Sequence, residues 1–142
     1  VHDLRMGLGA PDIDRNAETE FARQLFAIPA IKGLEFGDGF GLSAMRGSQA
    51  NDPWTMAGGV PVTIANHNGG ILGGITTGMP IVFRVAVKPT PSIAQPQHTI
   101  DMSAQKDAEI TIQGRHDPCI VHRAVPVVEA AAALAALRLL KL

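Results

Sequence analysis

The sequence predicts an α+β protein, an antiparallel sheet packed on helices, and three observations carry that expectation. Strand-like runs crowd the middle of the chain, while helical periodicity is confined to its two flanks. Fifteen glycines and ten prolines sit in a chain that is 46% hydrophobic, the mix of a packed protein with many obligatory turns. The last helical stretch is apolar almost all round, so it is expected between two layers or two subunits and not on a surface.

The elements follow in order. Val1 to Ile13 is irregular, because Gly7, Gly9 and Pro11 interrupt any regular pattern. Asp14 or Asn16 then caps a helix running to about Ile28, whose apolar face is Ala17, Phe21, Ala22, Leu25 and Phe26. Pro29 stops it. Ile31 to Phe36 reads as a strand, and Gly37-Asp38-Gly39 as a tight turn into a second strand, Phe40 to Met45. Arg46 to Gly59 reads as a long polar loop that could close over a ligand. A short strand at Val62 to Ala65 precedes a glycine cluster, and Pro80 to Val87 is the strongest strand of the chain. Three prolines make Lys88 to Gln97 an extended loop. His98 to Met102 and Ala108 to Gln113 are two further strands joined by a polar turn at Ser103 to Asp107. A helix from about Val125 to Leu139 closes the chain, with Pro126 in its first turn.

Bulk properties exclude several classes of function. The 142 residues suffice for a single domain with a core and are too few for two. Twelve basic residues against thirteen acidic ones, with no basic run, argue against nucleic acid as a partner. No apolar stretch reaches the roughly 18 residues of a membrane span. The chain opens at Val1 with no charged-then-apolar leader, and Cys119 is the sole cysteine, so a reducing, cytoplasmic setting is expected.

Three segments carry candidate chemistry. Asn66-His67-Asn68-Gly69-Gly70-Ile71-Leu72-Gly73-Gly74 offers backbone N–H groups to an anion or a flat surface to a planar ring; the other reading is a turn where two backbones pack closely. It has neither the Lys-Ser/Thr of a nucleotide P-loop nor the spacing of a dinucleotide fingerprint. Lys88-Pro89-Thr90-Pro91-Ser92 presents an ammonium and two hydroxyls on a proline-fixed loop, suited to phosphate or to a flavin edge; a solvated loop is the alternative. Gly114-Arg115-His116-Asp117-Pro118-Cys119 gathers a guanidinium, an imidazole and a carboxylate. Arg115 beside Asp117 would hold that carboxylate ionised for proton transfer, or the pair is a structural bridge with a capping aspartate. His116, Cys119 and His122 are zinc-type donors, but no second ligand pair accompanies them and no metal is expected.

Together these segments resemble the chorismate synthase family over essentially the whole chain, from about Gly7 to Leu140. GRHDPCIVHRAVPVVEAAA (residues 114–132) is similar to the family's C-terminal signature, and residues 66–93 to its glycine-rich stretch and Lys-Pro-Thr segment. Ala27 to Gly33 and GDGFGLSAMRGSQANDP (residues 37–53) match in the same order. The resemblance implies a β-α-β sandwich, a homotetramer and an FMN-dependent lyase that converts 5-enolpyruvylshikimate-3-phosphate to chorismate and phosphate with the flavin reduced. Whether NADPH used by the protein itself or an external reductase reduces that flavin is left open. Carried over residue by residue, it implies flavin contacts at Pro29, Ala30, Gly73, Lys88, Pro89, Thr90, Pro91, Ser92 and Arg115. Asp117 matches the carboxylate that assists proton uptake at flavin N5. The family's Gly-Glu-Ser-His-Gly signature and Arg-Ser-Ser segment, with its two catalytic histidines and most substrate-binding arginines, are not among these residues. The expectation is therefore the C-terminal segment of such an enzyme without its N-terminal half, inactive alone and binding flavin weakly or not at all. A non-catalytic flavin- or phosphate-binding or assembly module is the alternative.

Overall fold

The first regular element, α1 (Ala17–Phe26), forms where a cap, a charge gradient and an apolar stripe coincide. In the computed structural model, which describes residues 1–141, the cap is Asn16, whose Oδ1 accepts from the Thr19 N–H at 3.2 Å. Glu18 and Glu20 lie in the first turn and Arg23 in the last, matching the helix dipole. Strand β1 (Ile31–Phe36) follows, then a 3-10 turn (Gly39–Ala44) and a one-turn helix, α2 (Gly47–Ala50). Next come β2 (Trp54–Ala57), β3 (Val60–Thr63), β4 (Ile71–Leu72), β5 (Ile75–Thr76), β6 (Phe83–Val87), β7 (Gln97–Asp101) and β8 (Lys106–Ile110). The 21-residue α3 (Val121–Lys141) ends the chain.

Every ladder among the described residues is antiparallel and two-stranded: β1 with β6, β2 with β3, β4 with β5 and β7 with β8. The fold is thus the expected mixture of helices and antiparallel strands. Its core lies between α1, α3 and the inner face of β1–β6. Phe21 is the hinge of that core, with ring centroids 6.3 Å from Phe36 and 6.1 Å from Phe83 in edge and tilted contacts. Ala131, Ala132, Ala135 and Ala136 line the buried face of α3, small enough to let α1 approach closely. Leu4 and Leu8, from the irregular opening, complete the cluster.

Several elements differ from the sequence expectation, each for a local reason. Phe40 to Met45 is the 3-10 turn and not a strand, because Glu35 Oε2 accepts from the Phe40 N–H at 3.0 Å and curls the chain back. The long loop at Arg46 to Gly59 holds α2 and β2. Gln49 Oε1 accepts from the Arg46 N–H at 3.0 Å to start α2, and Gly58-Gly59 closes the β2–β3 hairpin, so β3 sits two residues earlier than expected. β6 begins only at Phe83, since the Val82 carbonyl and N–H are engaged by Gly37 and Gly69. The β7–β8 turn spans Met102 to Gln105, one residue or more earlier than the polar residues suggested. α3 begins at Val121, so Pro126 lies in its second turn and costs one backbone bond. One face of α3 is buried, while Val127, Leu134 and Leu137 opposite are exposed. Among the described residues no helix is long and apolar enough to cross a membrane.

Candidate functional site

A groove of about 360 Å³ opens where the chain leaves α1 and enters β1. It is lined by Ala30, Lys32, residues Lys88 to Pro91, and Ile120. Two devices set its shape. Ala30 holds the left-handed conformation at φ 72°, unusual for a residue with a side chain and costing about 1–2 kcal/mol. Its carbonyl in return accepts from the Lys88 N–H at 2.7 Å, which fixes the start of the Lys88 loop against it. Pro89 and Pro91 then hold that loop extended. The Thr90 hydroxyl is buried and has no hydrogen-bond partner, a donor and acceptor left open.

An apolar cleft of about 230 Å³ lies alongside, between β6 and the first turns of α3, lined by Val85, Val87, Val121, Ala124, Val125, Val128 and Glu129. The two spaces are lined by neighbouring chain segments, since Val87 precedes Lys88 and Ile120 precedes Val121. A cationic groove with an open hydroxyl beside an apolar slot suits a ligand with an anionic end and a flat apolar body.

The structure therefore gathers Ala30, Lys88, Pro89, Thr90 and Pro91, and leaves other sequence candidates apart. Pro29 is exposed at the end of α1, and Ser92 is half-buried just beyond the groove lining. Gly73 is exposed in the β4–β5 turn, at φ 57°. That turn sits at the opposite end of α1, where Gly74 O accepts from the Ala17 N–H at 2.8 Å. A ten-residue helix of about 15 Å thus separates it from Ala30. Arg115 is exposed, and the ion pair of its turn is a different one: Arg123 Nη1 to Asp117 Oδ2 at 2.6 Å. The expected Arg115–Asp117 pair is replaced because α3, starting at Val121, carries Arg123 in its first turn within reach of Asp117. His116 Nε2 is 3.2 Å from the Ile112 carbonyl, and Cys119 is exposed. Among the described residues no three His, Cys, Asp or Glu side chains converge as metal ligands. Lys32 and Ile120 were not singled out from the sequence, although a lysine in the apolar phase of IKGLEF was a readable irregularity.

The glycine cluster has a structural role. Gly37 and Gly69 pack backbone to backbone, and a side chain on Gly69 would lie 2.5 Å from the Val82 carbonyl. Asp52, buried, accepts from the His67 and Asn68 N–H groups at 2.7 and 3.0 Å and from the Asn68 side chain at 2.9 Å. Burial works to raise the Asp52 pKa, but these donors outweigh it and hold the carboxyl below its ordinary range. His67 Nδ1 meets Asp38 Oδ2 at 2.6 Å, tying the same segment to the turn after β1.

Fold and groove together define a mixed α+β protein with a proline-fixed groove lined by two lysines. Comparison with known proteins is more specific. A family model described as Chorismate synthase matches residues 1–140. Chorismate synthase of Thermococcus kodakarensis is 53% identical over 127 residues, covering 89% of this chain and 36% of that protein. The Methanosarcina mazei chorismate synthase is 52% identical over 134 residues, 94% of this chain and 36% of its own length. A crystal structure of chorismate synthase superposes with a TM-score of 0.73 at 32% identity, over 95% of this chain and 33% of that one. The chain belongs to the chorismate synthase family. It spans about a third of the length of the curated relatives it matches.

Proposed function

We propose that this chain supplies the flavin-side third of a chorismate synthase, a lyase of aromatic amino-acid biosynthesis that eliminates phosphate from 5-enolpyruvylshikimate-3-phosphate. The observation that carries the reading is the groove at Ala30, Lys88 and Thr90, where a buried hydroxyl lacks any partner beside an apolar slot. These residues fit a reduced FMN: the lysine for its phosphate, the open Thr90 hydroxyl for a polar ring edge or a phosphate oxygen, the valine-lined cleft for the ring body. When bound, the flavin supplies an electron-rich ring that stabilises positive charge as the allylic phosphate departs.

The chain's own contribution is to bind and to orient. Ala30 and the two prolines enter already fixed, so little entropy is lost when a ligand docks. Asp117, held by Arg123, is the acid–base group we assign to steering the proton that leaves the substrate. The remaining substrate-binding and acid–base groups belong to the other two thirds of the relatives' length, and a homotetramer is the assembly proposed with them.

A chimaera tests this directly. Residues 1–140 replace the matching third of the Thermococcus kodakarensis enzyme, and the expected result is retained flavin binding and turnover. In that chimaera Asp117→Asn keeps flavin affinity and lowers turnover by about 10²–10⁴-fold. Normal turnover with the asparagine would make Asp117 structural. A chimaera that binds FMN but never turns over would leave a flavin-binding module instead of an enzyme segment.

A further inference from the structure

We infer that Lys32 is a second phosphate ligand of the groove, placed there by a bulge in β1; the inference rests on the flavin reading only for the source of the phosphate. Leu34 and Phe36 of β1 pack on the core, so the two-residue repeat of a strand would put Lys32 on that same apolar face. The ladder breaks at this point. Ile31 pairs with Val87 and Gly33 with Ala86, which leaves Lys32 as the extra residue without a partner on β6. The phase change buries Ile31 in place of Lys32 and turns the lysine into the lining of the groove beside Lys88.

A bulge that only relieved packing would not need a cation at its apex. Here two ammonium groups line one groove, no carboxylate lines it with them, and neither lysine makes an ion pair among the described residues. Thr90, whose buried hydroxyl has no hydrogen-bond partner, lies in the same lining. Two cations on backbone locked by Ala30, Pro89 and Pro91 match a phosphate monoester, with charge to neutralise and several oxygens to share. The phosphate is either that of the flavin or that of the substrate, and the two sources are separable.

The test compares the 142-residue chain with Lys32→Met and Lys32→Arg, measuring affinities for FMN, riboflavin, inorganic phosphate and 5-enolpyruvylshikimate-3-phosphate from backbone amide shifts. That readout reaches millimolar affinities. Lys32→Met is expected to weaken FMN by about tenfold or more and to leave riboflavin within about twofold, while Lys32→Arg keeps most FMN affinity. A loss confined to the phosphorylated substrate upholds Lys32 as a phosphate ligand and assigns the phosphate to the substrate. Equal weakening of FMN and riboflavin, or no weakening of FMN, inorganic phosphate or the phosphorylated substrate, overturns the inference while leaving the flavin reading intact. Binding of neither flavin by the unaltered chain moves the comparison to the chimaera, where absence of FMN binding overturns the flavin reading; the response of Lys32 and Lys88 amides to inorganic phosphate then decides Lys32 separately, and no response removes it.

Discussion

Two buried carboxylates gather donors around them, Glu20 mainly from its own helix and Asp52 from a neighbouring loop. Glu20 is only 3% exposed and accepts from Arg23 and Gln24 of its own helix, both at 3.0 Å, with Arg138 of α3 at 3.6 Å. Asp52 does the same for the loop that carries the glycine cluster. Its depressed pKa means that its contribution is complete above the unfolded carboxylate value of about 4 and is lost as pH falls through the lower folded value. Asp52→Asn is therefore expected to lose about 1–3 kcal/mol at pH 7, because the amide turns a donor toward the Asn68 side chain and two N–H groups share one oxygen. Denaturant midpoints for both proteins should converge as pH falls toward 3. A constant gap across that range would show that the Asp52 charge is irrelevant and only its shape matters. At this scale the sequence was legible where chemistry is fixed by covalent restraint, as with Pro89 and Pro91 around Thr90. It was illegible where a partner is chosen by distant packing, as with Arg123 taking the place of Arg115 beside Asp117.

Elements with strong periodicity were readable, and those set by side chain to backbone bonds were not. α1 and β1 lie close to where their apolar spacing and caps put them. The 3-10 turn after β1 reads as a strand on residue type alone, and only the Glu35 carboxylate reaching the Phe40 N–H reverses that. The bulge at Lys32 likewise breaks the two-residue repeat, and the adjacent Gly33 and the lysine in the apolar phase were its only marks in the sequence. α3 is legible in composition and under-determined in partner. Its alanine face meets α1, while Val127, Leu134 and Leu137, spaced by seven and three on one stripe, remain exposed. Each is about half exposed, so leaving it wet forgoes roughly 1 kcal/mol. The chain is thus expected to self-associate at micromolar concentration, with Leu134→Glu abolishing association and leaving the unfolding midpoint nearly unchanged. Light scattering on both proteins checks this. A monomer in either case would show that the outer stripe tolerates water and that α3 is not a central layer.

For the molecule as a whole, the fold places one groove where an α-helix ends, a bulged strand begins and a proline-locked loop returns. Residues far apart in sequence, Ala30, Lys88 and Ile120, meet there because β1 pairs with β6 and α3 starts beside the end of that ladder. This convergence was foreseeable only through the family resemblance, since no local pattern links residues 30 and 88. As the chain spans about a third of its relatives, it is expected to give no measurable chorismate from 5-enolpyruvylshikimate-3-phosphate on its own. Turnover by a homogeneous 142-residue sample would contradict that division of labour.

The most direct test of the central claim is where FMN docks. Backbone amide spectra of the 142-residue chain, recorded with increasing FMN to millimolar concentration, are expected to shift at Ala30, Lys32, Lys88, Thr90 and Ile120, and to leave the Asp52–His67–Asn68 segment unmoved. Shifts confined to the glycine cluster around Gly69 and Gly73, with the groove residues unmoved, would contradict the account.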